Sequence, residues 1–172
     1  MDPHLAKLER HIAAALAGLS PEQLARGVPG KWSAAEIIEH LYLTYTGTLK
    51  GLGRVLEQEK SLASKATWSD RGKAFIVVNL GYMPQGRKSP KMALPRGTPA
   101  EKVLRDVSTT IAEMDALMNR CASKFGARTK LLDHPVLGAF SIDQWRKFHL
   151  VHGMHHVKQI LRLRQKLESV GD

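Results

Sequence analysis

Four long stretches of this 172-residue sequence repeat apolar residues at intervals of three and four, the spacing that places them on one side of an α-helix. They run from about Pro3 to Leu19, from Ser33 to about Glu59, from Pro99 to just before Gly126, and from Ile142 to about Leu167. Neither strand–helix alternation nor a two-residue hairpin signal interrupts them. The pattern predicts an all-α four-helix bundle with a long crossover between the second and third helices.

The starts of two helices and the crossover carry local signals of their own. In Lys31-Trp32-Ser33-Ala34-Ala35-Glu36, Ser33 is placed to cap the second helix and Glu36 occupies the capping-box position; Ser141 is placed to cap the last helix. Within the crossover, residues 70–80 fit a short helix or an extended segment, and dense prolines predict a loop from Met83 to Pro99. A chain of this length is expected to form a single domain over residues 1–172.

Cysteine content narrows the kind of metal site that the chain can hold. Cys121 is the only cysteine, so an intramolecular disulfide and a four-cysteine or Cys2His2 zinc site are excluded. Cys121 also falls on the apolar stripe of the third helix, which favours a buried core thiol over a reactive nucleophile. Any metal must therefore be bound by histidine or carboxylate.

The net charge of +10 and the pI near 9.9 make an anionic partner worth considering. The basic residues are dispersed, however, and no aromatic-basic interleaving or DNA-binding helix pattern accompanies them. Residues 1–5 contain no basic segment leading into an apolar one, and no apolar run approaches the ~18 residues of a membrane span. We therefore expect a cytoplasmic protein that binds neither specific nucleic acid nor membrane.

Histidines are concentrated in the last helix, in the segment from Phe148 to Gln159. At ~100° per residue, His152 and His156 lie in the middle of the face that Trp145 and Leu163 make apolar, so both are expected to point inward. Histidines four residues apart on a helix can bind one metal ion. The alternative is that they are surface or hydrogen-bonded core residues, but burying several imidazoles without a shared partner is costly.

The second helix offers a third ligand, His40. Its face is mostly small or polar, comprising Ser33, Glu36, Ile37, Thr44, Gly47 and Gly51, which would leave room for a small-molecule substrate. Three protein nitrogens with an open position are the catalytic rather than the structural pattern for zinc. Glu36, one turn before His40, is either a capping-box carboxylate or a general base or orienting partner of an imidazole.

Two motifs resemble those of a known superfamily. Trp32-Ser33-Ala34-Ala35-Glu36-Ile37-Ile38-Glu39-His40-Leu41 and His152-Gly-Met-His155-His156-Val-Lys-Gln159-Ile160 look like the second-helix and last-helix motifs of the DinB/YfiT-like putative metalloenzymes. The resemblance implies an up-down-down-up four-helix bundle with zinc, nickel or a similar ion on His40, His152 and His156. His155 is then an outer or surface residue and His149 a pocket wall, although either one is close enough to replace a ligand.

The resemblance also implies a reaction class: transfer reactions that use small cellular thiols such as bacillithiol, mycothiol or glutathione, with some isomerase and hydrolase chemistry. Coordination lowers the pKa of a thiol or water, so the expected chemistry is attack by a metal-activated thiol or water on a small electrophilic substrate. Arg87, Lys88 and Lys91 in the crossover either pair with carboxylates of a thiol cofactor or acidic substrate, or are solvated loop residues.

Other classes of protein compete with the metalloenzyme. A non-catalytic metal-binding or interaction module has the same histidines without a reaction, and a bis-histidine haem bundle would be coloured. A di-iron bundle requires Glu-x-x-His on two helices, and this tetrapeptide does not occur in the sequence. A homodimer is a further expectation, since an amphipathic helix with residual apolar surface can pair across a two-fold axis.

Overall fold

The computed structural model describes residues 1–65, 67–83 and 89–168. Within them the chain is mostly helical, which confirms the predicted helical class. The helices are α1 (Pro3–Leu16), α2 (Pro21–Ala25), α3 (Ala34–Glu57), α4 (Trp68–Ala74), α5 (Ala100–Phe125) and α6 (Ile142–Glu168), and the strands are β1 (Lys130–His134) and β2 (Gly138–Ser141). The four long helices therefore begin and end close to where the sequence periodicity places them.

Side-chain caps fix several of the helix starts. Ser33 and Glu36 form the capping box predicted for α3, with Ser33 Oγ accepting from the Glu36 amide (3.2 Å) and Glu36 Oε2 accepting from the Ser33 amide (2.7 Å). Ser141 caps α6 as predicted, since its Oγ lies 3.4 Å from the amide of Gln144. Ser20 caps the short helix α2, which lies beyond Gly18 (φ +75°), so α1 ends at Leu16 rather than at Leu19.

Contacts join the four long helices in two pairs. In α1 and α6, Leu8 packs directly over Gly153, where an added Cβ would lie 2.1 Å from Leu8 Cδ1, and Arg164 donates to the carbonyl of Ala15 (2.9 Å). In α3 and α5, Nζ of Lys102 lies 6.0 Å from the ring centroid of Tyr42, and Cys121 Sγ lies 3.9 Å from the carbonyl oxygen of Leu52. Cys121 is fully buried, as its place on the apolar stripe predicts.

Further contacts join one pair to the other. Along α3 and α6, His40 meets His156 (ring centroids 4.7 Å) while Thr48, two turns later on α3, meets the earlier residue His149 (3.1 Å). Along α1 and α5, the amide of Asp2 donates to the carboxylate of Asp115 (3.1 Å) and the hydroxyl of Ser108 donates to the carboxylate of Glu9. The cluster of buried side chains lies between the helices, and its largest fully buried members include Leu8, Tyr45, Leu52, Met114, Met118 and Phe140.

A β-hairpin joins α5 to α6, although the sequence contains no two-residue hairpin signal. Strands β1 and β2 pair antiparallel, with Leu132 opposite Phe140 and His134 opposite Gly138. A three-residue connection, Pro135 to Leu137, links them, and Gly138, the first residue of β2, has φ +75°. Pro135 and Gly138 indicate the turn in the sequence, but the strands on either side are too short to show alternation.

The crossover contains α4, which continues as a π-helical turn (Phe75–Asn79), and later a 3-10 turn (Lys91–Ala93). The helical alternative for residues 70–80 is therefore confirmed. Val77 and Val78 face the core, whereas five large apolar side chains of this segment are exposed: Trp68, Phe75, Ile76, Leu80 and Tyr82. In the part of the chain that the structure describes, no helix has the length and apolar content to span a membrane.

Candidate metal centre

Three imidazoles from two helices meet between α3 and α6. Nε2 of His152 lies 3.2 Å from Nε2 of His40 and 3.1 Å from Nε2 of His156, and one ligand nitrogen from each ring lies within 4.8 Å of the others. The structure thus brings together the three residues predicted as ligands. We call His40, His152 and His156 the histidine cluster.

The 3-10 turn of the crossover orients His40. Its Nδ1 lies 2.7 Å from the carbonyl oxygen of Ala93, and because a carbonyl can only accept, Nδ1 carries the hydrogen and Nε2 keeps its lone pair. Trp32, a half-buried residue just before α3, packs on the same ring with centroids 5.2 Å apart. His40 is 3% exposed, so its orientation is fixed by its surroundings.

Gln159, three residues after His156 on α6, orients the ring of His156. Nδ1 of His156 lies 2.7 Å from Oε1 of Gln159, and the amide nitrogen of Gln159 lies 3.1 Å from Nε2 of His155. The amide thus accepts from one histidine and donates to the other, which leaves Nε2 of His156 with a free lone pair. His155 is half-buried and occupies the outer position that the sequence predicted for it.

His152 stands between the other two rings. Phe148, one turn earlier, stacks on its ring with an interplanar angle of 10° and centroids 5.3 Å apart. Its Nδ1 has no hydrogen-bond partner among the described residues. The residue as a whole is half-buried, although its Nδ1 is fully buried.

Burial keeps all three imidazoles neutral at pH 7. It lowers the pKa of His156 to about 3, with a further contribution from the charge of His40. Burial likewise lowers the pKa of His152 well below its usual value, and the charges of His156 and His40 add to the effect. The pKa of His40 is also lowered by burial, although the Ala93 carbonyl opposes the shift. Neutral imidazole is the form that binds metal.

The donor set and its spacing fit a divalent ion. Two bonds of about 2.05 Å meeting at a tetrahedral angle separate their nitrogens by about 3.3 Å, close to the 3.1 and 3.2 Å observed. Without a cation, the lone pairs of His40 and His156 both face Nε2 of His152, which can donate one hydrogen to only one of them. A metal ion would satisfy all three nitrogens at once, and the Nδ1 partners of His40 and His156 are those of a metal-ligating histidine.

His149 lies outside the cluster, and it does not line a pocket as predicted. It is fully buried, with its ring stacked on Trp145 and in edge contact with Tyr45. Nε2 lies 3.1 Å from the hydroxyl of Thr48, which itself donates to the carbonyl of Thr44 (3.2 Å), so Nε2 carries a hydrogen. His149 is a core residue whose Nε2 lone pair is not available to a metal.

The small residues of α3 do not provide the expected room for a substrate. At Gly51, an added Cβ would lie 2.4 Å from Cδ2 of Leu132, so the hairpin already fills that space. Gly47 is exposed, with nothing within 4 Å of such a Cβ.

Glu36 is one half of the capping box of α3, so the prediction of a capping-box carboxylate is confirmed. Its role as a general base or as an orienting partner of an imidazole stays a prediction. The crossover residues Arg87 and Lys88 lie outside the described residues, and Lys91 is exposed.

One buried carboxylate near the cluster escapes sequence reasoning. Glu39 is 1% exposed and accepts from the amides of Arg96, Gly97 and Thr98 at 3.0, 3.1 and 3.2 Å and from the Thr98 hydroxyl at 2.5 Å. Burial raises the pKa of Glu39, but these hydrogen bonds outweigh it and hold the pKa below its usual value. The only signal in the sequence is a glutamate between two inward-facing residues, Ile38 and His40.

Comparison with known proteins identifies the family. The family described as "Protein of unknown function (DUF1569)" matches residues 3–162, which is most of the chain. This match corrects the assignment to the DinB/YfiT-like superfamily that the two histidine motifs suggested, because it shows the DUF1569 family and no DinB/YfiT-like family. A search of curated proteins and a search of solved structures each gave no match. The chain belongs to the DUF1569 family, whose function is unknown.

Proposed function

We propose that this protein is a divalent-metal-dependent enzyme, a thiol-dependent transferase or a hydrolase that acts on a small electrophilic substrate. The observation that carries the proposal is the convergence of three neutral imidazoles, with Nε2 atoms 3.1 and 3.2 Å from a common neighbour. His40, His152 and His156 would hold the ion. With three protein ligands, at least one position stays open, as in catalytic rather than structural sites.

The chemistry follows from the ion and from the residues around it. A bound divalent ion would lower the pKa of a thiol or water and so supply a nucleophile at neutral pH. Ala93 and Gln159 hold two imidazoles with their Nε2 lone pairs facing inward. Trp32 and Phe148 pack on the rings of His40 and His152 and limit the access of water to them. The half-buried side of His152 is where the substrate would enter.

The arrangement of the four long helices is part of the proposal. We infer an up-down-down-up four-helix bundle, in which the crossover allows the second and third long helices to run in the same direction. The contacts described above support it: α1 runs with α6, α3 runs with α5, and the two pairs oppose each other. In such a bundle, ligands from facing helices meet in the interior.

Metal analysis followed by activity assays tests the function. Purified protein is analysed by mass spectrometry for bound zinc, nickel and other first-row metals, alongside His40→Ala, His152→Ala and His156→Ala and the control His149→Ala. We expect close to one ion per chain in the wild type and the control, and loss of the ion in the other three. Absence of metal from the wild type after incubation with zinc and nickel would overturn the proposal.

The activity assays separate an enzyme from a binding module. The metal-loaded protein is incubated with glutathione, bacillithiol or mycothiol and a chromogenic aryl halide, and separately with a chromogenic ester in water. Turnover that disappears in His152→Ala supports the enzyme. Bound metal without turnover in any of these assays favours the non-catalytic metal-binding or interaction module.

A homodimer remains a proposal of the same kind. The exposed apolar side chains between Trp68 and Tyr82 are the surface that would be covered, because contiguous exposed apolar surface often marks an interaction site. Light scattering of the purified protein tests it. Twice the mass of one chain supports the dimer, and the mass of one chain ends it.

A further inference from the structure

Glu39 is a buried carboxylate that binds backbone distant from it in the sequence. Its Oε1 accepts from the amides of Arg96 and Thr98 and from the Thr98 hydroxyl, and its Oε2 accepts from the amide of Gly97. Four donors on one carboxylate offset the cost of burying its charge. They also attach the end of the crossover to the second turn of α3.

The attachment point is directly connected to the group that orients His40. Only Leu94 and Pro95 separate Ala93 from Arg96, and Pro95 restricts the backbone between them. On the other side, the 3-10 turn is closed by the Ala93 amide donating to the Pro90 carbonyl (2.9 Å). The Ala93 carbonyl therefore lies between two anchored points, the 3-10 turn and the amides that Glu39 binds.

We propose that Glu39 is a positioning residue for the metal site, which fixes residues 96–98 so that the Ala93 carbonyl holds the hydrogen of His40 on Nδ1. This inference rests on the proposed metal-binding function. A carbonyl 2.7 Å from Nδ1 selects the tautomer whose Nε2 can ligate, and such outer partners typically change metal affinity about 10- to 100-fold when they are removed. The carboxylate acts through the backbone and does not touch the ion.

Three substitutions remove the hydrogen bonds between Glu39 and residues 96–98 to different extents. Glu39→Ala removes every acceptor. Glu39→Gln keeps Oε1 for its three donors but puts an NH2 group against the amide of Gly97. Thr98→Val removes one hydroxyl donor and leaves the backbone bonds. We expect metal affinity to fall about 10- to 100-fold in Glu39→Ala and by smaller factors in the other two.

The matched control is Asp115→Asn, which makes the same carboxylate-to-amide change at another buried acceptor. Asp115 is 6% exposed and binds the amide of Asp2, at the contact between α1 and α5. We expect this variant to lose thermal stability without losing metal affinity. Dissociation constants for zinc, measured by competition with a chromophoric chelator, give the comparison. The inference would be overturned if Glu39→Gln bound zinc as tightly as the wild type, and if Glu39→Ala either did the same or failed to fold.

A second measurement needs no metal and separates this inference from the proposed function. In metal-free protein, the nitrogen chemical shifts of the imidazoles report which ring nitrogen carries the hydrogen. We expect His40 to be protonated at Nδ1 in the wild type and to become a mixture of tautomers in Glu39→Gln or Glu39→Ala, with faster hydrogen exchange at the amides of residues 96–98. An unchanged His40 tautomer in both variants would refute the positioning even if zinc binds. Failure of the wild type to bind metal would refute the function alone.

Discussion

Two buried imidazoles on one helix, α6, have opposite tautomers. In the histidine cluster, Nδ1 of His156 faces an acceptor and its Nε2 points at other imidazoles. In His149, less than two turns earlier, Nε2 donates to Thr48 and Nδ1 has no partner among the described residues. Both rings are buried and both are neutral. The hydrogen-bond partners of Nδ1 and Nε2, rather than burial, therefore distinguish the candidate ligand His156 from the core histidine His149.

The residues around the histidine cluster also differ in polarity from those around His149. The cluster is bordered by polar groups of the crossover and of α6, including the Ala93 carbonyl and the Gln159 amide. His149 is surrounded by Tyr45, Trp145 and Phe148. An ion fits the first environment, whereas the second one serves packing. The following experiments test this distinction.

The largest difference is expected in metal binding. His152→Ala removes the central ligand, so zinc affinity should fall by more than about 100-fold, beyond the effect of losing an outer partner. His149→Ala should leave it within about twofold. Zinc titration of both metal-free variants measures the two values. Equal losses in the two variants would mean that burial alone, and not the ligand geometry, governs binding.

The free energy of unfolding should fall more in His149→Ala than in His152→Ala, which is the opposite order to the losses of zinc affinity. His149→Ala opens a cavity against Tyr45 and Trp145 and removes the partner of the Thr48 hydroxyl, which should lower the free energy of unfolding by about 2–4 kcal/mol. His152→Ala in the metal-free protein should cost less, because that ring is half-buried and its removal relieves the crowding of nitrogens. Urea unfolding of the metal-free proteins gives both numbers. A larger cost at His152 would contradict the assignment of His149 to the core.

Acid should destabilise the metal-free protein through its core histidines. Burial lowers the pKa of His149 to about 3 and that of His134 to about 4, from an ordinary value of 6.5. Below pH 6.5 the unfolded chain binds protons that the folded chain does not, so stability is lost as the pH falls, by about 1.4 kcal/mol per pH unit for each group. Above pH 6.5 neither state gains a proton and the contribution is constant.

The variant His149→Leu isolates one of these groups. Between pH 6 and pH 4, its free energy of unfolding should fall about 1.4 kcal/mol per pH unit less steeply than that of the wild type. Urea unfolding at several pH values measures both slopes. Identical slopes would show that His149 is protonated in the folded protein with an ordinary pKa.

The smallest effect is expected at the outer partner of His156. Gln159→Leu keeps the side-chain size but removes the acceptor of the Nδ1 hydrogen, which should weaken zinc binding about tenfold. Gln165→Leu makes the same change at an exposed position of α6 and should have no effect. A Gln159 variant with wild-type affinity would show that His156 needs no orienting partner.

Much of the helical architecture is predictable from the sequence. Apolar spacing and caps locate the four long helices, because burial of one helix face and local hydrogen bonds at Ser33 and Ser141 act over a few residues. The ligand candidates follow from the same periodicity, since His152 and His156 share the face of Trp145 and Leu163. These features depend on neighbours in the sequence.

The remaining features depend on contacts between distant residues. The sequence leaves His149 and His155 open as ligands, because the choice rests on Thr48 and on the converging ring of His40 from another helix. It does not show that Leu132 fills the space at Gly51, or that Glu39 binds amides 57 to 59 residues away. The hairpin is missed because its pairing is long-range and its strands are short. The family, too, is not the one that the histidine motifs resemble.

A crystal structure of the protein loaded with zinc, with diffraction data collected on both sides of the zinc absorption edge, tests the central claim most directly. The account predicts an anomalous peak within about 2.0–2.1 Å of Nε2 of His40, His152 and His156, with His149 uncoordinated. A peak elsewhere, or no peak between these three rings at full zinc saturation, would contradict it.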